Sequence, residues 1–500
     1  MNAPHAPLIT TGPGRRLLAG VPHALSASLL RRLDQFDRLL GDELAPIAPL
    51  HLADPGWIET LARARWGPLA LGLPRVLAAL SWACSEAERA SLEACLLRAL
   101  DPLAGLVSVP LERLFTPDEL RAILDNRVEA EAMPVDLRQR PGQAIDYRGY
   151  LCVILKVTRL CNLRCTYCHD WSDSPASHAG FALLLRALAQ ALQLGRGAVD
   201  IVLHGGEPLM MGRQGLLRIL TLQAHLSLGG QIVRTHLQTN ATLIDDWWID
   251  ALQLFGIRAS VSLDGPAALH DRSRPDALGR GSYDRVRAGL ERLRRHSMLS
   301  GVLMVVTETV LALGPHALHA FFCEQDLLDV CLIPQRPAAD QSGGVNYAQF
   351  VEFLVRFEAV NALGRDAGGA GVRVREIEAV RRLGAGADSG FCEMAGNCVG
   401  AFVSVESDGT VSHCDKYLGS SEFVLGNLWH EPLGAMLSGP AAARIGQRAY
   451  AGLDALRSCP HFGLCQGGCP HERPVSQAAV KNGCCGLAPL FEALHAATLT

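Results

Sequence analysis

The chain has 500 residues, 49% of them hydrophobic, and a formal net charge of −4. That is apolar material for two or three packed domains, and so small a net charge excludes the broad basic face on which nucleic-acid binding depends. The opening MNAPHAPLITTGPGRRLLAG is too broken by proline and polar residues for a signal peptide, and no run of about 18 residues is free of charges and breakers, so neither export nor a membrane partner is expected and the location is cytoplasmic.

From residue 22 to about 130 the spacing of Leu29, Leu33, Phe36 and Leu40, and later of RVLAALSWA and ERASLEACLLRAL, predicts helices. Thr116-Pro117-Asp118-Glu119 reads as a helix start, with Thr116 as N-cap, Pro117 at the first helical position and Glu119 closing a capping box. Residues 1–150 are thus expected to form a mainly helical domain. From 151 the texture changes to short apolar runs: LCVILKV (151–157), VDIVLHG (199–205), RTHLQTN (234–240), RASVSLD (258–264), GVLMVV (301–306) and DVCLIP (329–334), separated by amphipathic stretches such as FALLLRALAQAL and IDDWWIDALQLF. Six such βα units predict a parallel sheet covered by helices, either a barrel or an open doubly wound sheet, with ligands collecting beyond the carboxyl ends of its strands. This core spans 151–336. A polar, Gly-rich connector follows (337–389), then a cysteine-rich module (390–486) and a tail (487–500). Clustered cysteines in a reducing compartment are metal ligands sooner than disulfides. Cys84, Cys95, Cys152, Cys323 and Cys331 lie in apolar patterns and are expected in the core.

Directly after the first strand comes CNLRCTYC, with Cys161, Cys165 and Cys168 in a loop at the carboxyl edge of the sheet. Three thiolates hold three irons of a [4Fe–4S] cluster and leave the fourth open, or with a water complete a zinc site. Cys-x3-Cys-x2-Cys with an aromatic residue before the last cysteine resembles the signature of radical S-adenosylmethionine (SAM) enzymes. That resemblance implies a partial (β/α)6 barrel in which SAM chelates the open iron and is cleaved by one electron to a 5′-deoxyadenosyl radical. Further elements are similar to the family's motifs at successive strand ends: Gly205-Gly206-Glu207-Pro208, Gln238-Thr239-Asn240, Ser262-Leu263-Asp264-Gly265-Pro266, and His270-Asp271 with Arg274. They imply cofactor contacts from Tyr167, Gly205, Gly206, Glu207 toward the SAM ammonium, Asn240, Ser262 toward the ribose and Arg274 toward the SAM carboxylate. His169-Asp170-Trp171, just past the loop, is a further stretch that would line this pocket or serve as loop structure.

The C-terminal pattern, Cys392-x5-Cys398, Cys414, Cys459-x5-Cys465-x3-Cys469 and Cys484-Cys485, resembles the SPASM extension, which carries two auxiliary [4Fe–4S] clusters in radical SAM enzymes that modify peptides and proteins. By that resemblance Cys392, Cys398, Cys414 and Cys469 hold the first auxiliary cluster. Cys459, Cys465 and one of Cys484 or Cys485 hold the second. The family has another cysteine upstream of the position of Cys459, and here Leu456 stands there. Both members of the vicinal pair could bind, an iron could stay open, or the second site could be empty, giving one or two auxiliary clusters. Because consecutive side chains of an extended chain point to opposite sides, one member of the pair and an open iron are expected. Asp415, next to Cys414, matches the residue that would deprotonate the substrate in sulfatase maturases; a hydrogen-bonding role in a tight turn is the plainer alternative.

These features imply an oxidoreductase, a SAM-dependent maturase that crosslinks or oxidises a residue of a ribosomally made peptide, served by an electron donor such as flavodoxin or ferredoxin. The alternative is an anaerobic sulfatase maturase forming formylglycine, against which stand the long N-terminal segment and Leu456. A non-catalytic iron–sulfur or zinc protein would leave the motifs at the strand ends without purpose.

Overall fold

The computed structural model describes residues 115–119, 121–122, 150–168, 170–174, 177–195, 197–226, 231–336, 344–369, 371–387, 389–394, 396, 398–473 and 483–496. The helical pattern expected over 22 to about 130 lies almost wholly outside them, as do Cys84, Cys95 and His169. Where that region is described, the capping box is present: Glu119 N donates to Thr116 Oγ1 at 3.3 Å, and Thr116 N to Glu119 Oε2 at 2.9 Å.

All six expected strands form: β1 (Tyr150–Thr158), β2 (Ala198–Gly205), β3 (Ile232–Thr239), β4 (Arg258–Ser262), β5 (Leu299–Val306) and β6 (Asp329–Pro334). They pair parallel in chain order. β1 is buried over nearly its whole length, as a strand covered on both faces must be. Four further strands were not legible in the sequence: β7 (Arg373–Val374), β8 (Phe402–Val405), β9 (Thr410–His413) and β10 (Val424–Asn427). β7 adds to β6, and the connector that contributes it also holds helices Tyr347–Asp366 and Arg375–Gly384. β8 runs parallel beside β1, and β9 and β10 follow antiparallel, so one sheet reads β10-β9-β8-β1-β2-β3-β4-β5-β6-β7.

The chain packs as two compact units. The smaller contains Met211–Ser227 and Ile244–Ile257 with the described residues before Glu131. Its helix α1 (Asp246–Leu254) starts at Asp245, whose carboxylate accepts from Trp248 N at 3.0 Å, and Trp247 lies under the Arg213 guanidinium. The larger unit holds the whole sheet and every described cysteine. Its core is the apolar strand face, with Leu151, Leu155, Ile201, Val261 and Met304 fully or almost fully buried. Cys152 and Cys331 lie in the core as expected. Cys323 does not: it is part-exposed on helix Pro315–Glu324, with its sulfur 3.7 Å from His319 Nε2. Among the described residues no helix is long and apolar enough to cross a membrane.

Candidate active site

β1 ends at Thr158, and the chain then crosses the carboxyl edge of the sheet through the three-cysteine loop. Glycines at the end of β2 let that loop sit down. Gly205 has φ +124°, and a Cβ on it would lie 2.0 Å from the Thr158 carbonyl oxygen; on Gly206 it would lie 2.3 Å from that of Leu160. Instead Gly206 N donates to Thr158 O and Glu207 N to Leu160 O, both at 2.8 Å. The close approach for which these glycines are needed is thus, in the first place, to the protein's own backbone. The far side of the loop is fixed by Arg164 N to Pro275 O (2.7 Å) and Thr166 N to Ser273 O (2.9 Å).

Glu207 is buried and accepts from Leu209 N (3.0 Å), Thr239 Oγ1 (2.7 Å) and Asn240 N (2.8 Å). Burial pushes its carboxyl up to about 7 against these three donors. Asn240 in turn donates to Asn162 Oδ1 at 2.9 Å, which ties the end of β3 to the cysteine loop. Ser262 accepts from Gln238 Nε2 at 3.0 Å. Replacing Glu207 by Ala is expected to raise the dissociation constant for SAM at least ~10-fold, through loss of a charge-assisted contact, and to lower the denaturation midpoint, because three donors lose their acceptor. Calorimetric titration and urea unfolding measure the two effects; unchanged affinity would leave Glu207 as a structural acceptor alone.

Arg274 is buried and grips Asp264 with two bonds, Nε to Oδ2 at 2.9 Å and Nη2 to Oδ1 at 3.2 Å. Tyr167 donates its hydroxyl to the same carboxylate at 2.5 Å, and its ring lies 5.4 Å from the guanidinium carbon. Arg274 Nη1 lies 3.8 Å from Cys165 Sγ. The partners the structure gives Arg274 are therefore the loop and its support. His270 Nδ1 accepts from Asp264 N at 3.1 Å, and Asp271 Oδ1 accepts from Ser282 N and Tyr283 N, so the HDxxR stretch fixes Asp264 in turn.

The three thiols suit a polynuclear cluster. Leu163 N and Asp170 N donate to Cys161 Sγ and Cys168 Sγ, each at 3.4 Å, while Cys165 has the Arg274 cation. Each sulfur thus has a donor that favours thiolate. Burial pushes the free thiols up, Cys161 to about 12 and Cys165 to about 11, so a bound cationic centre is what would draw off their protons. Among the described residues no three His, Cys, Asp or Glu side chains close around a single-ion position. A cluster does not need that, since each of its irons takes one protein thiolate.

Beside the loop lies a charged group that sequence reasoning missed. Lys156, completely buried in β1, pairs with Asp170 and, at 2.6 Å, with Asp415 Oδ1; its Nζ is 3.2 Å from His204 Nδ1 on the neighbouring strand β2. Burial alone would lower the Lys156 ammonium, but Asp415 and Asp170 hold it above its ordinary value. Burial likewise opposes ionisation of Asp415, and Lys156 and His204 outweigh it, so its carboxyl falls below the usual range. Glu406, at the end of β8, is pushed up to about 7 by burial. The signal was a lysine inside an otherwise apolar strand, which cannot be buried without a partner. Asp170 therefore belongs to this group, while Trp171 lies under the Arg164 guanidinium at 4.1 Å.

Asp415 follows Cys414, whose φ of +60° is rare for a residue with a Cβ and turns the chain out of β9. Burial pushes the Cys392 and Cys414 thiols up, the neighbouring Cys469 adding to it, and Cys398 Sγ lies 3.9 Å from His413 Nε2. Lys416 Nζ stands 4.0 Å from Cys469 Sγ and pairs with Glu393 and Glu472. The second cysteine set gathers elsewhere in the module: Cys465 Sγ is 3.6 Å from Cys485 Sγ, and the Cys459 and Cys484 thiols are near enough to interact.

Residues 155–312 match the family model of the Radical SAM superfamily. The cysteine-type anaerobic sulfatase-maturating enzyme of Clostridium perfringens is 27% identical over 323 residues, covering 62% of this chain and 85% of that protein. The serine-type enzyme of Klebsiella pneumoniae is 28% identical over 340 residues, 65% and 82% of the two chains. Native anSMEcpe with bound AdoMet shares the fold, with a TM-score of 0.61 at 23% identity over 70% of this chain and 98% of that one. The chain carries a radical SAM domain and is an enzyme that uses SAM and [4Fe–4S] clusters. Within that class it acts on a peptide or protein and is similar to the anaerobic sulfatase-maturating enzymes.

Proposed function

We propose that this enzyme oxidises one residue of a ribosomally made precursor peptide and installs a crosslink there, with Asp415 receiving the proton that the substrate side chain gives up. The observation that carries this reading is the Lys156–Asp415 pair: a carboxylate kept ionised by a buried ammonium, next in sequence to a cluster cysteine and at the carboxyl edge of the sheet. An ionised carboxylate of fixed orientation can accept a proton, although its pairing with Lys156 makes it a weaker base than one poised near the working pH. When bound, SAM and the clusters supply the radical that removes a hydrogen atom and take up the remaining electron. Cys161, Cys165 and Cys168 would hold the cluster that SAM completes, with Tyr167, Gly205, Gly206, Glu207, Asn240, Ser262 and Arg274 around the cofactor. Cys392, Cys398, Cys414 and Cys469 would hold the first auxiliary cluster. His204 and Asp170 keep Lys156 in place, and Lys156 orients Asp415.

A peptide as substrate is supported by anSMEcpe, solved with AdoMet and the Kp18Cys peptide. The second reading is formylglycine formation in a sulfatase, favoured by the relatives of both cysteine and serine type. Against it stands the share of this chain that those relatives do not match. The experiment is anaerobic incubation with SAM, reduced flavodoxin or ferredoxin, and each short peptide or sulfatase encoded beside this gene. A product that has lost two hydrogens and is inert to an aldehyde-reactive hydrazine is expected. A hydrazone would replace the crosslink with formylglycine, and absence of 5′-deoxyadenosine would overturn both.

A further inference from the structure

Leu456 stands where a second-cluster cysteine is expected, and it is buried at 1% exposure, an apolar side chain that cannot ligate iron. The remaining thiols are nevertheless four. Cys465 Sγ lies 3.6 Å from Cys485 Sγ, and the Cys484 thiol is near enough to those of Cys485 and Cys459 to interact with both. That closes a chain of contacts from Cys459 through the vicinal pair to Cys465. Alternation of side chains along extended chain does not by itself exclude one of the neighbours here, because Cys485 reaches Cys465 and Cys484 reaches Cys459. Gly483 (φ +72°) and Gly486 (φ +102°) flank the pair, so the backbone turns on both sides of it. Gly468 makes room on the facing loop, where a Cβ would lie 3.3 Å from Cys485 Cβ and Sγ.

Cys484 Sγ also receives a backbone N–H, from Gly486 at 3.2 Å. Donors aimed at sulfur favour thiolate and set the potential of the cluster it binds.

We propose that Cys484 and Cys485 both ligate one iron–sulfur cluster together with Cys459 and Cys465, the vicinal pair supplying the thiolate that Leu456 cannot. The inference rests on the reading of this module as cluster-binding, and it removes the open iron expected from the sequence. With four protein thiolates the cluster has no vacant corner for a peptide thiolate or carboxylate, so the substrate residue is held elsewhere and this site serves electron exchange alone.

The test uses the full chain carrying Cys161→Ala, Cys165→Ala and Cys168→Ala, which isolates the auxiliary sites, reconstituted anaerobically and reduced. About eight irons are expected, and added cyanide is expected to leave the electron paramagnetic resonance spectrum unchanged, because no iron is vacant. Adding Cys484→Ala or Cys485→Ala to this chain is expected in each case either to remove about four irons or to make one cluster cyanide-responsive. A cyanide shift without either substitution overturns the four-ligand site and needs no variant in the pair. A Cys484→Ala or Cys485→Ala protein with unaltered iron and spectrum overturns it as well. About four irons before either substitution would mean an empty second site. No iron at all would instead overturn the reading of the module.

Discussion

Replacing Cys161, Cys165 and Cys168 together by alanine is expected to abolish release of 5′-deoxyadenosine from SAM while about eight irons remain bound. The loss should be complete, because without these thiolates nothing holds the cluster whose open iron SAM completes. The remaining iron should stay, because the auxiliary cysteines are positioned by other elements: the end of β9, the short helix Phe462–Cys465 and the Gly483–Gly486 turn. Nor does the loop rely on its thiols for shape. It is anchored by backbone hydrogen bonds to Pro275, Ser273 and Glu207 and by the Asn162–Asn240 bond, all of which survive the substitutions. Chromatographic assay of 5′-deoxyadenosine with iron quantification on one preparation measures both quantities, and continued SAM cleavage would remove these residues from the reaction.

Asp415→Asn is expected to lower modified product by ~10²–10⁴ while 5′-deoxyadenosine continues to form. The amide keeps the size and one acceptor of the carboxylate, so the turn after Cys414 and the contact to Lys156 can persist; what goes is the negative charge and the capacity to take a proton. The structure makes this charge costly to remove. Lys156 is completely buried, and of its two carboxylate partners Asp415 lies at 2.6 Å. A buried ammonium deprived of a partner is destabilising by several kcal/mol at most, so the variant should also unfold at lower denaturant. Activity and stability separate the roles: full product yield from a destabilised protein would make Asp415 a structural counter-ion, whereas lost product with SAM cleavage intact fits the general base.

Much of the core was legible because it obeys local rules. Six apolar runs spaced by helical stretches became six parallel strands in the same order, since each pairs with its neighbour in the chain and the helical stretch between them supplies the crossover. The motifs fell at strand ends because a parallel sheet carries every loop that follows a strand to one edge. What failed locally failed for a reason. β8 is only four residues long, and its place beside β1, far back in the chain, has no sequence signature. The Glu207 and Arg274 side chains could be assigned to the site, but not their protein partners, Thr239, Asn240 and Asp264, which packing alone decides.

By itself the sequence determined the chemistry: three closely spaced cysteines with a glycine pair and acid at the next strand end, and a second series of cysteines downstream, define which atoms are available for iron and for SAM. Tertiary structure decided how those atoms are used. Lys156, His204, Asp170 and Asp415 come from two strands, a loop and a distant turn, and they become one group only when β1 and β2 pair in register and β8 brings β9 alongside. Cys484 and Cys485 look like alternatives on paper because an extended chain points them apart. In the folded chain Cys485 Sγ lies 3.6 Å from Cys465 Sγ, and the positive φ angles of Gly483 and Gly486 turn the backbone on either side of the pair, which no local pattern specifies.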